Sequence, residues 1–303
     1  MERTRRGGVL VSVIIVNFNT SVLLKNCLNS LYKSCRNFCF EVIVVDNSST
    51  DDSIEMLHNN FPAVKVVEAG ENLGFGRANN LGAKHAIGKY LFLLNSDTIV
   101  HNDVLSIFYN YMELHQDEKI GALGCWLKDE ENMLNVSFGF FPSIGSELRY
   151  TLEKIKEKTI GEKQLIVKTD SRDVDYVTGA DLFLPSDVFM MMGGFDPAFF
   201  MYYEETDLQY RMMKDGYKRR IIDGPEITHL DGGSFENVGL TPKRIVMNRK
   251  SCNYYAQKNF KAVYWLFFRI FVIIGCVNMF LTLKHLTIGE RWYCYKIVLL
   301  NRK

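Results

Sequence analysis

Short apolar runs rich in β-branched residues alternate, over the first third of the chain, with stretches whose apolar positions recur at helical spacing. Leu10–Val16 is followed by Val22–Leu31, Val42–Val45 by Ile54–Leu57, Val64–Val67 by Ala78–Ile87, and Tyr90–Leu94 by Val104–Leu114. Within the short runs neighbouring positions are all apolar instead of alternating with polar ones, which is the pattern of strands covered on both faces. This rhythm predicts an α/β domain with a mostly parallel central sheet and flanking helices. Further along, Val174–Pro185 reads as a strand containing a Gly-Ala turn, Ser186–Met192 as a short helix, and Glu204–Asp215 as a helix closed by Gly216. Pro242 opens another helix. The Lys/Glu-rich stretch from Asn132 to Thr169 reads as a solvated connection with no assigned chemistry.

A length of 303 residues suits one α/β domain with an appendage, divided here into an α/β domain over 1–240 and a helical tail over 241–303. With 47% hydrophobic and 23% charged residues, neither wholesale disorder nor a polytopic membrane protein is indicated. The net charge of +1 conceals an asymmetry, because residues 241–303 hold twelve Lys/Arg and a single acidic residue, Glu290. The acidic body has no basic footprint for nucleic acid, and none is expected as a partner. The basic tail points instead to an anionic surface.

Ala262 to Leu283 is mostly apolar and long enough to span a bilayer, but Arg269 and Asn278 interrupt it and Lys/Arg flank both ends. The favoured reading is a helix lying in a membrane interface, anchored by Trp265 and Trp292; the alternative is a helix packed on the α/β domain. Seven cysteines without a C-x-x-C pair exclude a disulfide framework or zinc site and fit a reducing cytoplasm. The apolar run behind Arg3, Arg5 and Arg6 reads as a buried strand, since no small-residue cleavage site follows.

Several strand runs end in polar groups: Asn17 after the first, Asp46-Asn47 after the second, Asn95-Ser96-Asp97 after the fourth. In open α/β sheets ligands sit beyond the carboxyl ends of strands, so these residues converge on one crevice. Any one of them alone would pass as a turn former. Gly74-x-Gly76 before a helix imitates a dinucleotide fingerprint but lacks the full glycine spacing.

The segments Val11–Asn19, Val45–Asp51, Asn72–Asn79, Leu94–Asp97, Thr178–Ala180, Gly193–Asp196, Phe200–Leu208 and His229–Ser234 resemble, in that order, the signatures of family 2 glycosyltransferases. The resemblance spans roughly residues 9–240 and implies a GT-A nucleotide-binding fold. It implies a donor site of Asn17, Asn19, Asp46, Asn72, Gly74, Arg77, Asn95 and Asp97, with Asp46 receiving the nucleobase imide and the Asn72–Asn79 loop against the donor. A carboxylate accepts from an imide N–H, and glycines let backbone approach phosphate. The family's D-x-D stands here as Asn95-Ser96-Asp97, so Asp97, with His229, is the expected holder of Mg²⁺ or Mn²⁺, while Asn95 supplies no charge. Glu204-Glu205 occupies the family's E-D position, with Glu205 as the base of an inverting transfer. Asp207 and Asp181 are expected to support the loop or the acceptor.

The function expected on this resemblance is transfer of a sugar, L-rhamnose from dTDP-rhamnose first, to an acceptor hydroxyl in bacterial surface polysaccharide synthesis. A UDP-galactofuranose or UDP-hexose transferase is the alternative, and a catalytically silent nucleotide-sugar binder is the alternative of another class. The expected partners are a nucleotide diphosphate sugar, a saccharide or lipid-linked saccharide acceptor and an anionic membrane surface. The expected location is cytoplasmic, peripheral on the inner face of the cell membrane.

Overall fold

The computed structural model describes residues 8–146, 168–230, 241–282 and 286–300. The expected rhythm is realised as β1 (Val11–Asn17), α1 (Ser21–Ser34), β2 (Phe40–Asp46), α2 (Ser53–Asn60), β3 (Lys65–Glu68), α3 (Phe75–His85), β4 (Tyr90–Asn95), β5 (Thr98–Val100) and α4 (Val104–Leu114). Then follow β6 (Ile120–Cys125), β7 (Phe138–Gly139), β8 (Ser171–Asp173), β9 (Tyr176–Val177), β10 (Asp181–Pro185), α5 (Ser186–Met191) and α6 (Glu204–Lys214). The chain continues through β11 (Lys218–Ile222) and β12 (Ile227–His229) to three helices, α7 (Pro242–Asn259), α8 (Ala262–Thr282) and α9 (Ile288–Leu300).

The main sheet has the order β3-β2-β1-β4-β10-β6-β11-β8. Its first four strands are parallel, β10 enters antiparallel between β4 and β6, and β11 runs parallel to β6. Val13 and Ile15 of β1 face a core with Leu24, Leu28 and Phe108, while Ile14 faces a second core with Ala78, Leu208 and Met212. Adjacent apolar positions are therefore both used, each buried side chain stabilising the fold by about 1.5–3 kcal/mol. A separate ribbon pairs β5 antiparallel with β12, setting His229 opposite Thr98.

Two segments depart from the expectation. Val174–Pro185 divides into two strands, because the turn after Val177 is captured from both sides: Thr178 N–H donates to Ser137 O at 3.1 Å and Asn95 N–H to Ala180 O at 3.0 Å. β9 thus pairs with β7, while β10 joins the main sheet. Residues 132–146 are folded against the domain: Ser137 is buried and its Oγ accepts from Leu127 N–H at 2.8 Å, and Phe138 meets Trp126 edge-on. The Lys/Glu-rich remainder, 147–167, lies outside the described residues.

In the C-terminal helices, Thr241 caps α7 by accepting from Arg244 N–H at 3.3 Å, with Pro242 at the first helical position. Cys252 and Ala256 of α7 are buried against Phe268 and Val272 of α8. On α8, Val263, Leu266, Phe267 and Ile270 are solvent-exposed, so the helix is apolar on a covered and an open face. Among the described residues no helix is long and apolar enough to cross a membrane.

Candidate active site

The register of the parallel strands sets the first part of the site, since Asn17 of β1 is the direct partner of Asp46 of β2. Asn17 Nδ2 donates to Asp46 Oδ1 at 2.9 Å and to Ser49 Oγ at 3.0 Å, while Ser49 donates through its N–H to Asp46 Oδ2 at 2.9 Å and through Oγ to Oδ1 at 2.6 Å. Each carboxylate oxygen keeps capacity for a further donor. Asn19, with φ of 54°, accepts from Thr50 N–H at 2.7 Å and brings its own N–H to Ser49 Oγ at 3.0 Å. Thr20 Oγ1 donates to Asn17 Oδ1 at 2.7 Å and lies 3.1 Å from Ser96 Oγ, joining the ends of β1 and β4.

The loop ahead of α3 is held by a residue that the sequence reading left without a role. Asn47 Nδ2 donates to Gly74 O at 3.1 Å and its Oδ1 accepts from Leu73 N–H at 3.3 Å. Asn72 Oδ1 accepts from Gly74 N–H at 3.0 Å. Gly74 has φ of 78°, and a Cβ there would stand 2.0 Å from Phe200 O, the same oxygen that accepts from Phe75 N–H at 3.1 Å. Backbone of the Phe200 loop and backbone of the α3 entry thus touch, which only glycine permits. Arg77 Nε, in the first turn of α3, is buried without a hydrogen-bond partner. An orphaned guanidinium N–H at a helix entry suits a phosphate oxygen.

The β5–β12 ribbon brings His229 to the end of β4 across a sequence gap of more than a hundred residues. His229 Nε2 lies 3.3 Å from Asp97 Oδ1 and 3.3 Å from Asn95 Nδ2, and Leu230 N–H donates to Asp97 O at 2.9 Å. In the Nδ1-protonated tautomer the Nε2 lone pair accepts from Asn95, and the same lone pair would serve a cation. Among the described residues no three His, Cys, Asp or Glu side chains form a metal-holding group. One carboxylate and one imidazole still fit a cation that takes its remaining oxygens from water and a diphosphate, as Mg²⁺ commonly does. Beneath this corner Asp181 is fully buried; its Oδ2 accepts from Cys125 N–H at 2.7 Å while Oδ1 has no partner. Burial pushes its carboxyl up to about 7, against the opposing bond from Cys125 and the pull of His229.

The two glutamates open α6 but face different surroundings. Glu204 is 3% exposed, has Oε2 unpartnered and packs on α3: a Cβ at Gly76 would meet its Cγ at 3.4 Å. Burial, then the adjacent charge of Glu205, hold its carboxyl well above the usual range. Glu205 is half-buried and raised by burial, and it lies toward Tyr176, whose phenol is pushed up by burial and then by this carboxylate. Asp207 is fully buried and spent on the fold, accepting from Arg211 Nε at 3.0 Å, Lys258 Nζ at 2.9 Å and Asn259 Nδ2 at 3.2 Å. The residues expected from sequence therefore fall into an Asn17–Asp46 corner, the Asn72–Arg77 loop, an Asp97–His229 corner and the α6 entry. Ser49, Thr20 and Phe200 join them through contacts that no local pattern marks, and Asn47, which the sequence placed only at a strand end, holds the Gly74 loop.

Residues 12–139 match the profile of Glycosyl transferase family 2. The chain is 26% identical, over 235 residues covering 73% of it and 76% of the relative, to the N-acetylglucosaminyl-diphospho-decaprenol L-rhamnosyltransferase of Mycobacterium tuberculosis. It is 24% identical, over 264 residues covering 79% of it and 96% of the relative, to the rhamnosyltransferase WbbL of Escherichia coli. In three dimensions it is similar to GalNAc-T7 with UDP, GalNAc and Mn²⁺, with a TM-score of 0.63 at 15% identity over 96% of this chain and 56% of the other. Residues 12–139 therefore match glycosyl transferase family 2, and the chain is a glycosyltransferase on a GT-A fold that resembles the rhamnosyltransferases.

Proposed function

We propose that the chain is an inverting, divalent-metal-dependent hexosyltransferase that moves L-rhamnose from dTDP-rhamnose to a hydroxyl of a lipid-linked saccharide in bacterial surface polysaccharide synthesis. The observations that carry this reading are the bonded Asn17–Asp46 corner, the Asp97–His229 pair, and the contact of the Asn47-held Gly74 loop with Phe200, from which the chain runs into Glu205 at the start of α6. The rhamnose preference rests on the two rhamnosyltransferase relatives.

In this reading Asp46 accepts from the pyrimidine imide and Arg77 Nε donates to a phosphate oxygen. Asp97 and His229 would hold Mg²⁺ or Mn²⁺, which neutralises charge on the departing diphosphate when bound. Glu205 takes the acceptor's hydroxyl proton as that oxygen bonds to the anomeric carbon and the carbon–oxygen bond to the diphosphate breaks. A carboxylate raised by burial is a stronger base than one in water, and its partial exposure leaves it reachable, whereas Glu204 is closed off.

The open apolar face of α8, with residues 263, 266, 267 and 270 at i, i+3, i+4 and i+7, supports attachment to the inner face of the cell membrane, together with the basic excess of 241–303. The test is a panel of dTDP- and UDP-sugars scored for nucleoside diphosphate release with and without EDTA and acceptor. Turnover of UDP-galactofuranose or a UDP-hexose but not dTDP-rhamnose would reverse the donor. Tight nucleotide-sugar binding without any turnover would make the chain a silent binder.

A further inference from the structure

Tyr202 and Tyr203 both have φ of 70°, immediately ahead of the α6 carboxylates. A residue with a Cβ is strained in the left-handed region, so two in succession require something to hold them. The C-terminal helices do so. Ser251 Oγ donates to Met201 O at 2.7 Å, and Arg244 Nε donates to the Tyr202 hydroxyl oxygen at 3.2 Å. The Tyr203 ring packs on the cluster of Cys252, Ala256, Phe268 and Val272, with its centroid 5.8 Å from that of Tyr255. On the opposite side Phe200 O is bonded to the entry of α3. The loop is thus wedged between donor loop and C-terminal helices, and Tyr203 O accepts from Asp207 N–H at 2.8 Å to begin α6.

We propose that Tyr203 is a positioning residue for the transfer: its ring, anchored on α7 and α8, keeps the strained backbone from which Glu205 projects at the distance that proton abstraction requires. This rests on the reading of Glu205 as the base. Displacing a reacting group by about 1 Å costs up to roughly a hundredfold in rate, so a ring whose anchors lie 49 to 69 residues further along the sequence controls turnover without touching substrate. The C-terminal helices are then part of the catalytic apparatus in addition to any role as an anchor.

The experiment measures kcat, donor KM and calorimetric nucleoside diphosphate affinity on the full chain. Tyr203→Ala is expected to lower kcat by about 10- to 100-fold while nucleotide affinity stays within about twofold, and Tyr203→Phe to recover most of the loss. Tyr203→Gly, which accepts a positive φ without strain, should fall between them. Ser251→Ala, milder for folding, should lower kcat by about threefold or more with KM unchanged. In a Glu205→Gln background Tyr203→Ala should add no further loss, because both changes remove one function. Unchanged kcat in Tyr203→Ala or Ser251→Ala, parallel loss of kcat and nucleotide affinity, or additive losses in the double variant would each overturn the proposal. Full activity of Glu205→Gln alone would instead overturn the base assignment.

Discussion

The corner formed by Asn17, Asp46 and Ser49 and the entry of α6 are built by different means. Asn17, Asp46 and Ser49 stand at the ends of adjacent parallel strands, and bonds of 2.6–3.0 Å lock them within a strand register that the core already enforces. Glu204 and Glu205 open a helix behind a loop whose shape is imposed from both sides by distant residues: Phe75 on Phe200, Ser251 on Met201, and Lys258 on both Asp196 and Asp207. Strand ends make a rigid seat. The loop depends instead on packing against distant segments.

The largest expected effect separates the two glutamates. Glu205→Gln should lower transfer by about 10²- to 10⁴-fold with donor binding little changed, since only proton abstraction is removed. Glu204→Gln should cost much less in kcat, being enclosed against α3. Steady-state kinetics with a dead Glu204→Gln and an active Glu205→Gln would exchange their roles.

On the donor side, Asp97→Ala is expected to reduce metal-dependent turnover by about 10²-fold or more, as it removes the charged hard-oxygen ligand. Asn95→Asp should preserve activity or lower the cation concentration needed for half-maximal rate. Full activity of the wild type in EDTA would refute this assignment.

Gly74→Ala tests the contact between the two regions. The added Cβ meets the backbone oxygen of Phe200, in a conformation that is almost exclusively glycine's, so a loss of about 2 kcal/mol or more is expected in denaturant titration, with weaker nucleotide binding. A smaller loss would mean that the loop yields more readily than the comparison implies.

Leu266→Glu combined with Phe267→Glu should reduce flotation with anionic vesicles while leaving transfer to a water-soluble acceptor unchanged, because those side chains are open to solvent. If the wild type itself fails to float with anionic vesicles, the membrane reading of α8 falls.

The smallest effect is the acid sensitivity of the latch at Asp196. Burial pushes its carboxyl up, but the bonds from Lys258 Nζ and Ala198 N–H outweigh this and hold it below the usual range. A carboxylate with a lowered folded pKa stabilises above its unfolded value of about 3.9 and loses that contribution as pH falls further. Thermal melts below about pH 4 should therefore show Asp196→Asn losing less stability than the wild type, by under about 1 kcal/mol for a partly exposed pair.

Sequence by itself determined the strand–helix order of residues 10–114 apart from β5, the two-sided burial of the strands and the placing of Asn17, Asp46 and Asp97 at or just beyond strand ends. Those features follow from periodicity and strand register, which act over a few residues. The same local reading merged β9 with β10 and treated Asn132–Thr169 as one solvated connection, because the bonds from Thr178 to Ser137 and from Leu127 to Ser137 leave no periodic trace. The family resemblance already paired His229 with Asp97, but only the tertiary structure supplied the β5–β12 ribbon that joins them, set Phe200 O against Gly74, and turned Tyr202 and Tyr203 into the left-handed region. Each of these joins segments from about 40 to more than 120 residues apart, where chain entropy leaves proximity open until two packed cores and the C-terminal helices close around them.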